Sequence, residues 1–356
     1  MSFPSPSSVV TVLALTACVS GVFVFSVLSD TSSVCDTCMP DVIFTSDVTE
    51  QAEISSTIKT TKLNRITTSS AFKKQTQTWM QLNSIPDWEC YTSKVGLVKR
   101  QIHCVNCLWC LGYPDQALER SQEALALARG HNHAFSLVDV LCYAGCLFNV
   151  LRRDAPALKN HAEQMLELSK EKRFQGWLGT ATMFWGDSLS MLGKVKEGIA
   201  LIRQGMAKNL SLGTRCSMSS YYTFLAVGEA KAGQLEQALT TLDEGLAMIK
   251  ETDECYYEAE TYRLRGELLL KQGDDAAAEA SLYKAIEVAR RQKAKSWELR
   301  AATDLARVWA SQGKAEEAHT LLAPVYDWFT EGFDTPDLIA ALALLKELSQ
   351  DHSVQR

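Results

Sequence analysis

Cys104, Cys107 and Cys110 form a CxxCxxC run beside His103, the cluster in this chain whose residue types and spacing come nearest to metal chemistry. Thiolates spaced in this way hold zinc or iron–sulfur centres. On a helix, however, positions i, i+3 and i+6 drift by about 60° at each step, which makes a stripe rather than a cage. A fourth ligand would have to come from Cys35-Asp-Thr-Cys38, far upstream. Free cysteine also behaves as a small apolar residue that buries well. The expectation is therefore that the three thiols fill an apolar stripe, with a four-cysteine zinc clip as the rival reading. His131-Asn-His133 lies in a predicted inter-helix loop as a weak metal candidate, and the remaining cysteines, Cys18, Cys90, Cys142, Cys146, Cys216 and Cys255, show no framework of spacings. Eleven cysteines so arranged fit a reducing compartment, so a cytoplasmic repeat domain is expected.

Other chemistry is absent from the sequence. There is no GxxxxGK[ST] phosphate loop, no HExxH, no GxSxG and no dinucleotide glycine fingerprint. No catalytic constellation, cofactor or metal is therefore assigned, and the chain is read as non-enzymatic. The net charge of −6 argues against a nucleic-acid backbone as partner, because phosphate binding needs a basic face. Residues 1–100 carry 8 Lys/Arg and 8 Asp/Glu, so the negative balance lies in the remainder.

What positions these residues is a repeated element. The stretch 257–291, YEAETYRLRGELLLKQGDDAAAEASLYKAIEVARR, has Tyr262, Gly266, Leu269 and Leu270 at helical spacing before Gly273, and Ala278, Leu282 and Ala285 after it. Gly273 suits the left-handed residue that ends a helix, and Asp274 and Asp275 suit the start of the next. The same turn recurs at Gly112, Gly193, Gly233 and Gly313, each with Ala or Gly five residues on, and more weakly at Arg152 with Ala157 in the alanine slot. The turn positions 112, 152, 193, 233, 273 and 313 are separated by 40, 41, 40, 40 and 40 residues. So regular a period marks a solenoid of helix pairs.

The unit resembles the tetratricopeptide repeat. Gly266, Leu269, Gly273, Ala278, Leu282 and Ala285 fall on that repeat's motif positions, while Tyr262 stands where Trp is usual and Arg265 where Leu is usual. The period exceeds the ~34 residues usual for the repeat, which implies longer helices, similar to the repeat domain of the bacterial maltose-regulon activator. Leu111–Arg129 and Ser296–Leu338 further resemble the C-terminal repeat arm of large bacterial signalling proteins that carry a nucleotidyl cyclase or other output domain and an ATPase domain. The stretch WFTEGFDTPDL, 328–338, is the most distinctive part of that likeness. The resemblance implies protein contact or regulation, not the activities of domains absent here.

The expected fold is all-α: a right-handed α-solenoid of about six ~40-residue repeats over 96–350, closed by a capping helix Asp337–Ser349 and followed by a tail, 351–356. Pair two is expected to deviate, with His161 where an apolar residue belongs; pair three, with Gly198 and Gly205 in place of alanines, is expected to be the softest. Its Trp177, Phe184 and Trp185 are read as core, with an aromatic peptide groove as the alternative. The cluster Arg290–Lys295 is read as complementing a helix C-terminus, or else as contacting an acidic partner.

Before the repeats, residues 1–29 carry no charge, and Val9–Leu28 is an apolar run long enough to span a bilayer. No Lys or Arg flanks it before Lys59, so it reads either as a membrane or export segment, with Leu15–Cys18 as a lipoprotein-like box, or as a poorly ordered extension. Residues 30–95 form a Ser/Thr-rich linker of low order, with one expected helix near Ser70–Leu82. Any membrane contact would be confined to Val9–Leu28.

The functional expectation is a protein-interaction scaffold holding a protein or peptide in its concave groove, as part of a signalling assembly. Groove candidates from the leading helices are Tyr221, Tyr222, Glu258, Arg263 and Arg300. The alternatives are a small-molecule-sensing arm and the detached tail of a cyclase- or ATPase-type enzyme.

Overall fold

The computed structural model describes residues 17–19, 22–24, 94–130 and 133–354. The expected linker helix, Cys35, Cys38, Cys90 and His131 lie outside the described residues. The chain divides into two compact units, Met1–Lys74 and Gln75–Arg356. In the first, β1 (Ala17–Val19) and β2 (Val22–Val24) pair antiparallel, with Ala17 opposite Val24 and Cys18 opposite Phe23. The described part of the Val9–Leu28 run is thus strand, not helix.

The second unit is a stack of six helix pairs and a last helix. The pairs are α1 (Lys94–Leu111) with α2 (Pro114–Gly130), α3 (Ala134–Arg152) with α4 (Ala155–Glu171), and α5 (Gln175–Met191) with α6 (Val195–Ser211). They continue as α7 (Met218–Lys231) with α8 (Leu235–Thr252), α9 (Glu258–Gln272) with α10 (Asp275–Gln292), and α11 (Lys295–Ser311) with α12 (Ala315–Tyr326). α13 (Pro336–Val354) ends the series. Gly112, Gly193, Gly233, Gly273 and Gly313 all have φ between 77° and 91°, the left-handed region where a Cβ is costly. The residue five beyond each is buried: Ala117, Ala238, Ala278 and Ala318 show 0 % exposure, and Gly198 takes the same place in pair three.

Pair two corrects the sequence reading by one residue. The left-handed position is Arg153 (φ 60°), not Arg152, and Leu158 rather than Ala157 is buried in the small-residue slot. The cause lies in α3, whose middle, Leu141–Leu147, is π-helical. A π-turn absorbs one extra residue in a helix of otherwise fixed length. In the shifted register Ala162, fully buried, takes the apolar position. His161 moves to the flank, where it packs on Gly145 and its Nδ1 lies 3.2 Å from the Asn149 amide.

In pair three, expected to be soft, the two helices instead approach closely through their glycines. A Cβ built on Gly205 would sit 2.5 Å from the Gly179 carbonyl oxygen, and one on Gly198 would sit 2.5 Å from that of Gly186. The glycines of α6 therefore face glycines of α5 in two reciprocal pairs, and their weak helix propensity is offset by contact that side chains would prevent.

The stack does not end in an open cap; its last elements return to its first. Trp109 of α1 meets Trp297 of α11 edge to face, with ring centroids 4.6 Å apart. Glu331 Oε1 accepts hydrogen bonds from the backbone N–H groups of Asp115 (3.1 Å) and Gln116 (3.0 Å), and its Oε2 accepts one from the Gln116 side chain. It thereby caps the N-terminus of α2 from 215 residues away in sequence. In return Asp115 Oδ2 accepts from Gly332 N–H at 3.0 Å. Trp328 packs on Gly112 and Tyr113, and Arg153 pairs with Asp337 at 3.3 Å. The distinctive stretch 328–338 is thus the clasp that joins the last repeat to the first two.

An aromatic ladder runs round the inside. Phe184, Tyr221, Phe224, Tyr257, Trp297 and Trp109 are in successive ring contact at 4.6–5.7 Å. Each such pair contributes about 0.5–1.5 kcal/mol beyond its buried area. Phe184 is core, as the sequence suggested, whereas Trp177 and Trp185 are only half-buried.

Two outcomes are expected. Gly205→Ala should lower stability by ~1–2 kcal/mol in chemical denaturation, because the overpacking it causes exceeds the ~1 kcal/mol gained in helix propensity; a higher melting temperature would mean α5 and α6 can part freely. Glu331→Ala should cost about 1–2 kcal/mol and speed amide exchange at the start of α2; unchanged exchange there would show that the clasp does not hold that end.

Candidate functional site

The leading helices α5, α7, α9 and α11, with the α3–α4 turn and α13, surround a cavity of about 950 Å³. Its wall mixes apolar residues, Phe224, Val227, Leu264 and Val308 among others, with charged ones. Most of the charges come from two leading helices, whose inner faces carry ionisable residues one turn apart: Glu260, Arg263 and Glu267 on α9, and Arg300, Asp304 and Arg307 on α11.

These groups form one network. The Arg263 guanidinium donates to both Glu260 oxygens at 2.9 Å, to Asp304 Oδ2 at 2.5 Å and to Glu267 Oε2 at 3.2 Å. Burial alone would lower its pKa, but Glu260, Asp304 and Glu267 outweigh that and hold it charged. Arg300 donates through Nε to Asp337 Oδ2 at 2.7 Å and through Nη2 to the Leu151 carbonyl at 2.5 Å. Its guanidinium lies over Trp109 and Trp297, 4.9 and 5.1 Å from the ring centres. The Arg300 charge and partial burial push the Arg153 pKa down, against the pull of Asp337. Lys271 and Arg307 complete the network by pairing with Glu267 and Asp304, both at 2.8 Å.

Asp187 stands outside this network. It is 3 % exposed, lines the same cavity from α5, and its Oδ2 has no hydrogen-bond partner. Burial pushes its carboxyl up to about 7, with Lys231 pulling the other way. The signal in the sequence was plain but unused: Asp187 is the one charged residue of α5.

The five groove candidates separate. Arg263 and Arg300 come together in the cavity wall, yet both are committed to ion pairs. Tyr221, 3 % exposed, sits in the aromatic ladder. Tyr222 packs against Gly245 of α8, and Glu258 pairs with Arg291 of α10 at 2.7 Å. None of these three lines the cavity. The basic cluster is likewise occupied: Arg290 and Lys295 both bind Glu298 at 2.7 Å, and Lys293 ends α10 with φ 56°.

Among the described residues, no group of three or more His, Cys, Asp or Glu is placed to hold a metal ion. Cys107 and Cys110 are buried, which pushes both thiols up and away from thiolate chemistry. His133 serves as the N-cap of α3, its Nδ1 accepting from Ser136 N–H at 3.2 Å. α3 is apolar and long enough to cross a membrane, but 72 % of its apolar window is buried among the other helices.

The Asp187 carboxyl makes a pH-dependent outcome testable. A folded pKa raised from 3.8 to about 7 means the native state binds the extra proton between those values, so stability falls as pH rises through that window. Asp187→Asn should therefore match the natural chain near pH 4 and exceed it by on the order of 2–4 kcal/mol above pH 7. The groups facing Asp187 are Lys231 and Tyr257. A stability difference independent of pH would place Asp187 in solvent.

Comparison with known proteins agrees with this architecture. Residues 145–355 match the MalT-like TPR region. A curated relative, an uncharacterized protein of Rhizobium meliloti (strain 1021), is 27 % identical over 170 residues, covering 47 % of this chain and 16 % of the relative, so this chain spans about a sixth of the relative's length. Among solved structures, NprR in complex with its cognate peptide NprX is similar at a TM-score of 0.52 and 15 % identity, over 86 % of this chain and 85 % of that one. A signal-transduction ATPase with a tetratricopeptide-repeat sensor from Pyrococcus horikoshii has a TM-score of 0.46 and 12 % identity, over 84 % of this chain and 44 % of that one. The 145–355 match, the 40-residue helix pairs and the left-handed turn glycines make this chain a tetratricopeptide-repeat protein of the MalT-like TPR family.

Proposed function

We propose that the chain is a non-catalytic regulatory module that holds a peptide segment of a partner in its central cavity, within a signalling assembly. The observation that carries this reading is the cavity itself. At about 950 Å³ it lies at the upper end of the ~300–1,000 Å³ usual for ligand sites, and its wall mixes apolar surface with fixed charge. The ion pairs of Arg263 and Arg300 fix that wall before a ligand arrives, which lowers the ordering cost of binding. NprR, solved with its cognate peptide, supports a peptide as the ligand class, and the likeness to it is one of fold.

Among the described residues the cavity holds no nucleophile–base pair and no metal-ligand set, so binding rather than turnover is the chemistry it supports. The test is a comparison of the full chain with Val227→Trp, which fills the cavity from α7, in retention of proteins from the native cell read by mass spectrometry. The expected result is a partner retained by the natural chain and lost by the variant. Equal retention by both would place binding on another surface.

A further inference from the structure

Among the described residues, five carboxylates line the central cavity, and four of them already have cations. Glu260, Glu267, Asp304 and Asp337 are each ion-paired within 3.3 Å. Asp187 is the exception: buried at 3 % exposure, with Oδ2 lacking any hydrogen-bond partner. Lys231, whose charge acts on it, points its Nζ toward the Ser190 carbonyl at 3.5 Å instead. An ionised carboxylate only accepts hydrogen bonds, so the group that completes it must be a donor. Two aromatic residues of the same wall, Phe224 and Tyr257, stack edge to face at 5.6 Å. Aromatic surface beside a desolvated carboxylate favours a cation.

The geometry points to Asp187 as the anchor for an ammonium or guanidinium group carried by the peptide that occupies the cavity. This rests on the cavity-binding function proposed above. Such an arrangement explains why α5 keeps a charge in an otherwise uncharged helix. A buried acid without a partner weakens the empty protein and is satisfied when the ligand arrives. It also links binding to a proton. A cation seated at Asp187 selects its ionised form, so the empty site near neutral pH must release a proton on binding.

The test uses the full chain and three pools of random tetrapeptide amides, with retention read by native mass spectrometry at pH 8. One pool has free amino termini and no Lys or Arg. The second is N-acetylated with one Lys or Arg at a random position, and the third is N-acetylated with no basic residue. We expect retention from the first pool, if the anchored group is the chain terminus, or from the second, if it is a side chain. The third pool should give none. Asp187→Asn should lose at least tenfold in retention while staying folded, and Asp187→Glu should recover part of it. Affinity of the natural chain for the second pool, whose Lys and Arg stay charged throughout, should fall about tenfold between pH 8 and pH 6, and that of Asp187→Asn should not change over this range. Retention of the third pool, if blocked by Val227→Trp, would overturn the role of Asp187 and leave the cavity function standing. Undiminished binding to Asp187→Asn would overturn it equally. Retention of no pool, or retention indifferent to Val227→Trp, would overturn both.

Discussion

The guanidinium of Arg300 joins more of this molecule than any other group described. It lies over the rings of both Trp109 and Trp297, donates to the Leu151 carbonyl, and pairs with Asp337. Those four residues belong to the first pair, the sixth pair, the second pair and the last helix. A buried arginine is tolerated only when its charge is matched and its donors are used. Satisfying it therefore requires both ends of the repeat stack to be present at once. The clasp of Glu331 and Asp115, the ladder of rings and the fixed wall of the cavity all assume the same juncture.

Much of the fold was legible because a repeat states the same physical requirement many times. The glycine turns at 40-residue intervals, the small residues five positions on, and the last helix each correspond to a packed feature, although of the apolar stripe Leu338, Leu342, Leu345 and Leu348 that marks this helix Leu342 is only half-buried. Where one copy departs, periodicity alone misplaces it. Arg152 was assigned the turn because it preserves the count, but Arg153 occupies it, since the π-turn of α3 hides one residue. Gly198 and Gly205 were read by propensity; only the facing Gly186 and Gly179 show why they are small.

The site was legible only in part. Arg263 and Arg300 could be placed on leading helices, but which turn of a helix faces inward depends on the rotation between pairs, and one repeat does not state that rotation. Tyr221, Tyr222 and Glu258 accordingly sit elsewhere, in the ladder, against α8 and beside Arg291. The return of residues 328–338 to the first pair was invisible for a different reason. It is a contact across more than 200 residues, with no local period to announce it.

The clasp also changes what kind of cooperative system the repeats form. An open array of identical units behaves as a linear chain in which terminal units, having one neighbour, fray first. Here the Trp109–Trp297 and Glu331–α2 contacts give the terminal pairs a second neighbour. The array becomes a chain with periodic boundaries. Its melting then needs one interface to fail before any unit can fray, and that first break frees two ends at once. Whatever enters the cavity and touches helices on both sides of the juncture acts on that single step, tightening or loosening the whole ring.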